Sequence, residues 1–327
     1  MSASRSTPGR LLYLSGAPRV STHPDAASGG ARAHVLGIVE GFERAGWTVD
    51  RFIVGDEVDD ALRGRVSRAV TDVSGSAWGS LRRLAGDVAR LTVGAANARR
   101  LAHRIDPNVT WAYERFATLQ RLGRVPQRRG IPWILETQGP FFHEAANDRR
   151  SLALTGLARR RELDAYRRCD VLVCVSTALR DLIVDLSGID PAKVVVVPNG
   201  VDERAFDPER TVPRRLTPES TFTIGYVGGL PPWQALDRLF AAVARSREQI
   251  GDVAVVVVGD GPSRAAWTEA AERAALGGIV HWAGRVPRTD VPAYLAGFDV
   301  GYSGPQPSSL GTMYHSPLKL YEYLAMG

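Results

Sequence analysis

Short, unbroken apolar runs recur along this chain, and they restrict its fold more than any other feature. LLYLSG (11–16), DVLVCVS (170–176), KVVVVPNG (193–200) and VAVVVVGDG (253–261) each close on small or polar residues. A strand with one wet face alternates apolar and polar residues. A strand that is apolar throughout is covered on both faces, as in a parallel sheet flanked by helices. Between the runs, apolar residues recur at helical spacing. Val35, Ile38, Val39 and Phe42 form one such stripe, closed by Gly46. TVDRFIV (48–54), VTWAYE (109–114) and PWILETQ (132–138) read as further strands, and 81–105, 157–168 and 178–186 as helices.

The pattern then restarts. Residues 206–221 are rich in proline and charge and read as a linker. FTIGYVGG (222–229), VAVVVVGDG, IVHWAG (279–284) and DVGYSG (299–304) alternate with helical stretches at 235–250, 263–276 and 291–298. The expected fold is α/β: two doubly wound units of Rossmann type, over 1–205 and 222–327. With 327 residues, 44% hydrophobic and 23% charged, there is enough chain and apolar content for both.

Cys169 and Cys174 are the only cysteines. Five apart in a strand-like run, they would face opposite ways, which excludes a disulfide between them and a thiolate metal site. No run reaches membrane-span length, and the N-terminal apolar stretch is too short for a secretion signal. A reducing cytoplasm is the expected compartment. The net charge of +6 is uneven: residues 63–168 carry 21 Arg against 9 Asp and Glu, leaving the remainder acidic. That bias suits an anionic surface or ligand near the first half. Nucleic acid is not expected, because no recognition motif accompanies the charge. Only Lys193 and Lys319 among the 41 basic residues are lysines, so a compact ammonium is of interest where it occurs.

In doubly wound sheets ligands lie beyond the carboxyl ends of the strands, and four loops of the second half end there. Gly228 and Gly229 leave room for a phosphate to approach the backbone. Gly259-Asp260-Gly261 precedes another helix start. Gly284-Arg285-Val286 offers a side chain that can stack on or bond to a base. Finally, Ser316 and Pro317 read as cap and first residue of a helix that carries Lys319 at its third position. A cation there opposes the helix dipole by about 0.3–1 kcal/mol unless an anion is bound. Free N–H groups and an ammonium together would cradle a diphosphate, with Glu322 one turn on for a ribose diol.

VVVVPNGVD, GYVGGLPPWQALDRLF, VVVVGDGPSR, VHWAGRVPRTDVPAYLAGFDV and SPLKLYEYLAMG stand in the order and spacing of glycosyltransferase family 4, which the chain resembles over nearly its whole length. GGARAHVLGIVEGFERAGWTV resembles that family's first glycine-rich loop and helix, including His34. YERFATLQRLGRVPQRRGIPWILETQGPFFHEA resembles a branch that builds surface polysaccharides and glycolipids. The resemblance implies a GT-B fold, two units facing across a cleft, and a retaining transferase that uses a nucleotide sugar without metal or other cofactor. It places the donor near Gly29, Gly30, Gly228, Gly229, Gln234, Gly261, Arg285, Val286, Ser316, Pro317, Lys319, Leu320 and Glu322. It places the reaction near Gln138, His143 and Lys319.

The departures from the family pattern are specific. Its Arg and Lys on the donor diphosphate fall on Gly229 and Gln234 here, which leaves Lys319 as the main cation. Of its paired glutamates only Glu322 matches, and the first falls on Tyr314. A histidine expected after the fourth strand falls on Gln138, with His143 five residues on as its substitute. Relatives of this kind continue beyond a glycine matching Gly327, so the second sheet is expected to be incomplete. The resulting reading is a cytoplasmic, peripherally membrane-bound hexosyltransferase-type glycosyltransferase. Its partners would be a nucleotide sugar, a lipid-linked or glycan acceptor and an anionic membrane surface. A nucleotide-sugar epimerase and a nucleotide-sugar-binding protein that transfers nothing are the competing readings. A dehydrogenase is disfavoured, because no G-x-G-x-x-G follows the first strand.

Overall fold

The computed structural model describes residues 9–23, 29–58, 77–304 and 309–327. The loop 24–28 and the first basic residues of the charged segment, in 59–76, lie outside them. The chain divides into two compact units. Among the described residues the first holds those up to 198 together with 309–316, and the second holds 199–304 together with 317–327.

The first unit is built on six parallel strands in the order β2-β1-β3-β4-β5-β6. They are β1 (Arg10–Ser15), β2 (Thr48–Ile53), β3 (Val109–Arg115), β4 (Trp133–Thr137), β5 (Val171–Cys174) and β6 (Val194–Val196). Its longer helices are α1 (Gly29–Arg44), α2 (Ala77–Arg104), α3 (Thr155–Arg168) and α4 (Thr177–Ser187). The uniformly apolar first run has a simple cause. Leu11 and Tyr13 pack with Val35 and Val39 of α1, while Leu12 and Leu14 pack with Leu101 of α2. Successive side chains point to opposite faces, and both faces are covered. The helix ends follow the local sequence. The Ser176 hydroxyl accepts from the Leu179 N–H at 3.0 Å to cap α4, and Gly188 closes it at φ 66°, a conformation that favours glycine.

The second unit has four parallel strands in the order β10-β7-β8-β9: β7 (Phe222–Val227), β8 (Val253–Val258), β9 (Val280–Gly284) and β10 (Val300–Gly301). Its helices are α5 (Leu236–Ile250), α6 (Arg264–Arg273), α7 (Val291–Leu295) and α8 (Leu318–Met326). Strand β8 is buried along its whole length. Val253, Val255 and Val257 meet Leu236, Phe240 and Val243 of α5. Val256 and Val258 meet Val291, Tyr294 and Leu295 of α7. Phe240 is fully buried there, and truncating it to alanine would cost about 3–5 kcal/mol.

Three local expectations change. Cys169 lies at the end of α3 rather than in a strand, although both cysteines are free and buried. The stretch read as a linker packs on the second unit. Phe206 is buried with Val227 and Tyr294, the Arg214 N–H donates to the Ala293 carbonyl at 2.7 Å, and Arg215 pairs with Asp299 at 3.0 Å. The division therefore falls at Pro198/Asn199, because Phe206 needs a core and finds the second unit's. Helix α8 begins at Leu318 with Pro317 at the cap position and no side-chain cap. Ser316 thus lies outside the helix, among the residues packed with the first unit, and Lys319 occupies the second helical position.

Candidate active site

In the second unit the strand ends are stitched together by backbone. The Gly228 N–H donates to the Val258 carbonyl at 2.9 Å, and the Gly259 N–H donates to the Gly284 carbonyl at 2.7 Å. Gly228 and Gly259 have φ of 142° and 135°. A Cβ on Gly259 would stand 1.9 Å from the Gly228 oxygen, so only glycine lets the loops lie this close. Gly261 serves the same packing: a Cβ there would fall 2.7 Å from the Leu230 nitrogen. Its N–H is committed to the Asp260 carboxylate at 2.8 Å, so it is not offered to a ligand. Gly229 differs. It is exposed, its carbonyl accepts from the Tyr226 hydroxyl, and its N–H makes no hydrogen bond among the described residues.

Lys319 stands beside this loop. Its ammonium lies 3.8 Å from the centroid of the Tyr226 ring and donates to Gln234 Oε1 at 2.9 Å. A Cβ on Gly228 would come within 3.3 Å of Nζ. Burial lowers the Lys319 ammonium to about 7, against a smaller opposing pull from the Glu322 carboxylate. A desolvated ammonium resting on a ring and an amide is poorly compensated until an anion arrives.

Glu322 is buried and pairs with Arg288 at 2.7 Å. The Arg288 guanidinium in turn lies 5.0 Å from the centroid of the Phe206 ring. One carboxylate oxygen is therefore already engaged, in an ion pair the sequence reading missed. Arg285 and Leu320 are exposed, and Val286 packs against the core below. The Leu320 N–H donates to the Pro317 carbonyl at 3.1 Å.

The first unit gathers a second polar group at the carboxyl end of β4. His34 Nε2 lies 2.6 Å from Glu136 Oε1, and Gln138 donates to the same oxygen. The Tyr113 hydroxyl donates to Glu136 Oε2 at 2.9 Å. Burial alone would raise the Glu136 carboxyl. The charge and hydrogen bond of His34, with Arg115 and the Tyr113 hydroxyl, outweigh it and bring the carboxyl down to about 2. Gly29 and Gly30 are exposed in the first turn of α1, one turn before His34.

His143 is engaged elsewhere. Its Nε2 meets the Ser309 hydroxyl at 2.7 Å, and Asn147 Nδ2 lies 3.2 Å from its Nδ1. Tyr314, where the resemblance expects a glutamate, is fully buried in the first unit. Its hydroxyl donates to Glu144 at 3.2 Å, and its carbonyl accepts from Ser176 at 2.7 Å. Apart from Lys319 and Glu322, the residues that give each group its character (Tyr226 and Arg288 in the second unit, Glu136 and Tyr113 in the first) sit on strands or turns that read as core or surface. Only the strand-end rule could have found them.

Comparison with known proteins places this geometry in context. A family model described as Glycosyltransferase Family 4 matches residues 28–205, and one described as Glycosyl transferases group 1 matches 221–327. A D-inositol 3-phosphate glycosyltransferase of Stackebrandtia nassauensis is 40% identical over 101 residues, 29% of this chain and 23% of that protein. A phosphatidylinositol N-acetylglucosaminyltransferase component from Arabidopsis thaliana is 31% identical over 126 residues, 38% of this chain and 27% of that protein. The matched stretches thus span about a quarter of each relative's length. Among solved structures, a trehalose-6-phosphate protein from E. coli bound with UDP-2-fluoro glucose superposes with a TM-score of 0.64 at 13% identity, covering 97% of this chain and 81% of that one. Anabaena HepE in complex with UDP and glucose superposes with a TM-score of 0.58 at 13% identity, covering 97% and 78%. At such identities these two show the shared fold alone.

Proposed function

The chain belongs to glycosyltransferase family 4, and on that premise we propose that it moves a sugar from a nucleoside diphosphate sugar to an acceptor on its first unit. The observation that carries this reading is the Lys319 ammonium at the end of β7, 3.3 Å from where a Cβ on Gly228 would stand and bonded to Gln234, next to the exposed Gly229, whose N–H makes no hydrogen bond among the described residues. Both are donors, and a diphosphate leaving group is what they would stabilise. Glu322, one turn further along α8, suits the ribose diol, with Arg288 orienting its carboxylate.

The family resemblance supports transfer with retention. The bond from the anomeric carbon to the diphosphate oxygen breaks. The acceptor oxygen bonds to the same face, and its proton passes to the departing diphosphate. Charge at the leaving group falls to Gly229 and Lys319. Among the described residues no group of three His, Cys, Asp or Glu could hold a metal ion. The His34–Glu136–Gln138 group suits the orientation of an acceptor hydroxyl. The relatives named above and the basic first half of the chain support a lipid-linked or glycan acceptor at an anionic membrane surface. Among the described residues no helix is long and apolar enough to cross a membrane, while α2 exposes Leu81, Leu84 and Val88 beside Arg82, with Arg99 and Arg100 exposed about three turns further along the helix, a pattern suited to lying on one.

The test is a screen of UDP- and GDP-sugars for turnover, beside calorimetric titration of UDP and GDP. Binding that Lys319→Met weakens at least tenfold, together with release of the diphosphate when acceptor is added, supports the proposal. No binding of either nucleotide overturns it. A second reading is binding without transfer. It is favoured by Gly229 and Gln234 in place of a basic pair and by Tyr314 buried away in place of a glutamate, and it predicts tight nucleotide binding with no turnover.

A further inference from the structure

Arg288 stands in the turn after β9, where its guanidinium is fixed from three sides. One face lies over the Phe206 ring, 5.0 Å from its centroid. One nitrogen, Nη2, lies 2.7 Å from Glu322 Oε1. The turn itself is closed by the Asp290 N–H, which donates to the Pro287 carbonyl at 3.0 Å, and Asp290 is in turn paired with Arg214 at 3.8 Å. The two partners differ in access. Glu322 is buried, whereas the Arg288 side chain is 38% exposed. A guanidinium carries five N–H donors, and Glu322 is the one carboxylate it pairs with among the described residues.

That pairing changes what Glu322 can bind. A free carboxylate takes both hydroxyls of a vicinal diol, one on each oxygen. Here Oε1 already meets Arg288. To take both hydroxyls, the diol would have to separate a buried carboxylate from its cation, and a charge left so is costly. A diol that instead donates one hydroxyl to Oε2 brings its second hydroxyl beside the guanidinium. A hydroxyl accepts as well as donates, so the second can take an Arg288 N–H without disturbing the ion pair. The fork of arginine suits this double task, with one edge toward the carboxylate and other N–H groups toward the ligand.

We propose that Arg288 is itself a binding residue for the ribose of the nucleotide, so that Glu322 and Arg288 hold one hydroxyl each. This contact rests on the nucleotide site proposed above and goes beyond it, because there Arg288 only orients a carboxylate. It makes the 2′ and 3′ hydroxyls unequal. One is recognised as a donor by Glu322, the other as an acceptor by Arg288. A nucleotide that lacks either hydroxyl leaves one charged group without its ligand, and that group differs between the two.

The experiment is a chemical double-mutant cycle read by calorimetry on the whole chain. UDP, 2′-deoxy-UDP and 3′-deoxy-UDP are titrated into wild type, Arg288→Met, Arg288→Lys and Glu322→Gln, with the guanosine series in their place if GDP is the nucleotide that binds. Thermal melts accompany each variant. In wild type each missing hydroxyl should weaken binding roughly tenfold or more. In Arg288→Met one of those two losses should vanish while the other persists. In Glu322→Gln the persisting loss should be the one that shrinks. Arg288→Lys keeps a cation on Glu322 and covers the case in which the methionine variant does not fold. A point charge cannot serve both partners, so the same single loss should shrink there too. If Arg288 only orients Glu322, its replacement reduces both losses together or leaves both unchanged, and either result overturns the proposal. Deoxynucleotides that bind wild type as tightly as UDP does would also overturn it. Failure of both UDP and GDP to bind removes the nucleotide site itself, and the proposal with it. Tight nucleotide binding without the divided pattern removes only the Arg288 contact.

Discussion

Replacing Lys319 by methionine should make the free protein more stable and its donor binding much weaker. Among the described residues the ammonium contacts the Gln234 amide oxygen, at 2.9 Å, and the Tyr226 ring, at 3.8 Å, in place of the water it lost, with a smaller pull from the Glu322 carboxylate. Burial lowers it from its ordinary 10.5 to about 7. The unfolded chain therefore holds this proton up to about 10.5 while the folded chain releases it near 7. Stability contributed by the site is lowest below pH 7 and recovers as pH rises through that window. Each unit of such a difference is worth about 1.4 kcal/mol. The full gap, discounted for the partial solvent contact of Nζ, leaves a penalty of about 2–4 kcal/mol at pH 6. Methionine fits along the Tyr226 ring without that penalty. Bound diphosphate should reverse the sign, because two negative charges beside Nζ restore the charged form. Binding above pH 7 should then take up a proton, and affinity should fall as pH rises. Removing the charge-assisted contact should weaken UDP or GDP binding by about 1.5–3 kcal/mol, or 10- to 150-fold. The assay is thermal unfolding at pH 6 and 9.5, beside calorimetry in two buffers of different ionisation enthalpy. A variant that melts lower than wild type at pH 6, or that binds the diphosphate as tightly, refutes the reasoning.

Other outcomes follow from the same contacts. Glu322→Gln should weaken UMP and UDP alike, whereas Lys319→Met should weaken UDP more. Arg288→Ala leaves the buried Glu322 carboxylate without its partner and should cost about 1–3 kcal/mol by chemical denaturation. Glu136, held at about 2 against an ordinary 4.5, contributes stability that is present above pH 4.5 and lost as pH falls through that window. In Glu136→Gln the acid limb of the melting curve should flatten, with about 3 kcal/mol lost at neutral pH. Glu162 is buried and raised to about 8, chiefly by desolvation. The fold keeps its proton where the unfolded chain does not, so its contribution shrinks as pH rises from 4.5 to about 8. Glu162→Gln should melt closer to wild type at pH 5 and a few degrees higher at pH 8.

The apolar runs, their spacing and the glycines that end them were enough to determine an α/β chain of two doubly wound units. Apolar period and turn chemistry are local, and strands such as β8 have no other stable placement than between two helical layers. The same local signals marked Gly228, Gly229, Lys319 and Glu322, because glycines at strand ends and a cation near a helix start are legible as sequence. What the tertiary structure decided is which of these groups remain available and which are committed to the protein itself. Gly261 gives its N–H to Asp260, Glu322 is already paired with Arg288, His143 is tied to Ser309, and Tyr314 is buried in the core of the first unit. His143 and Ser309 are 166 positions apart in sequence, and Tyr314 and Glu144 are 170 apart. No local pattern records such a pairing. Charge shows the same division. An excess of arginine is visible in the composition, but that Arg288 meets the Glu322 carboxylate depends on how β9 and α8 are placed in the fold. Electrostatic compensation is set by distance in space, and that distance exists only once the sheet has formed.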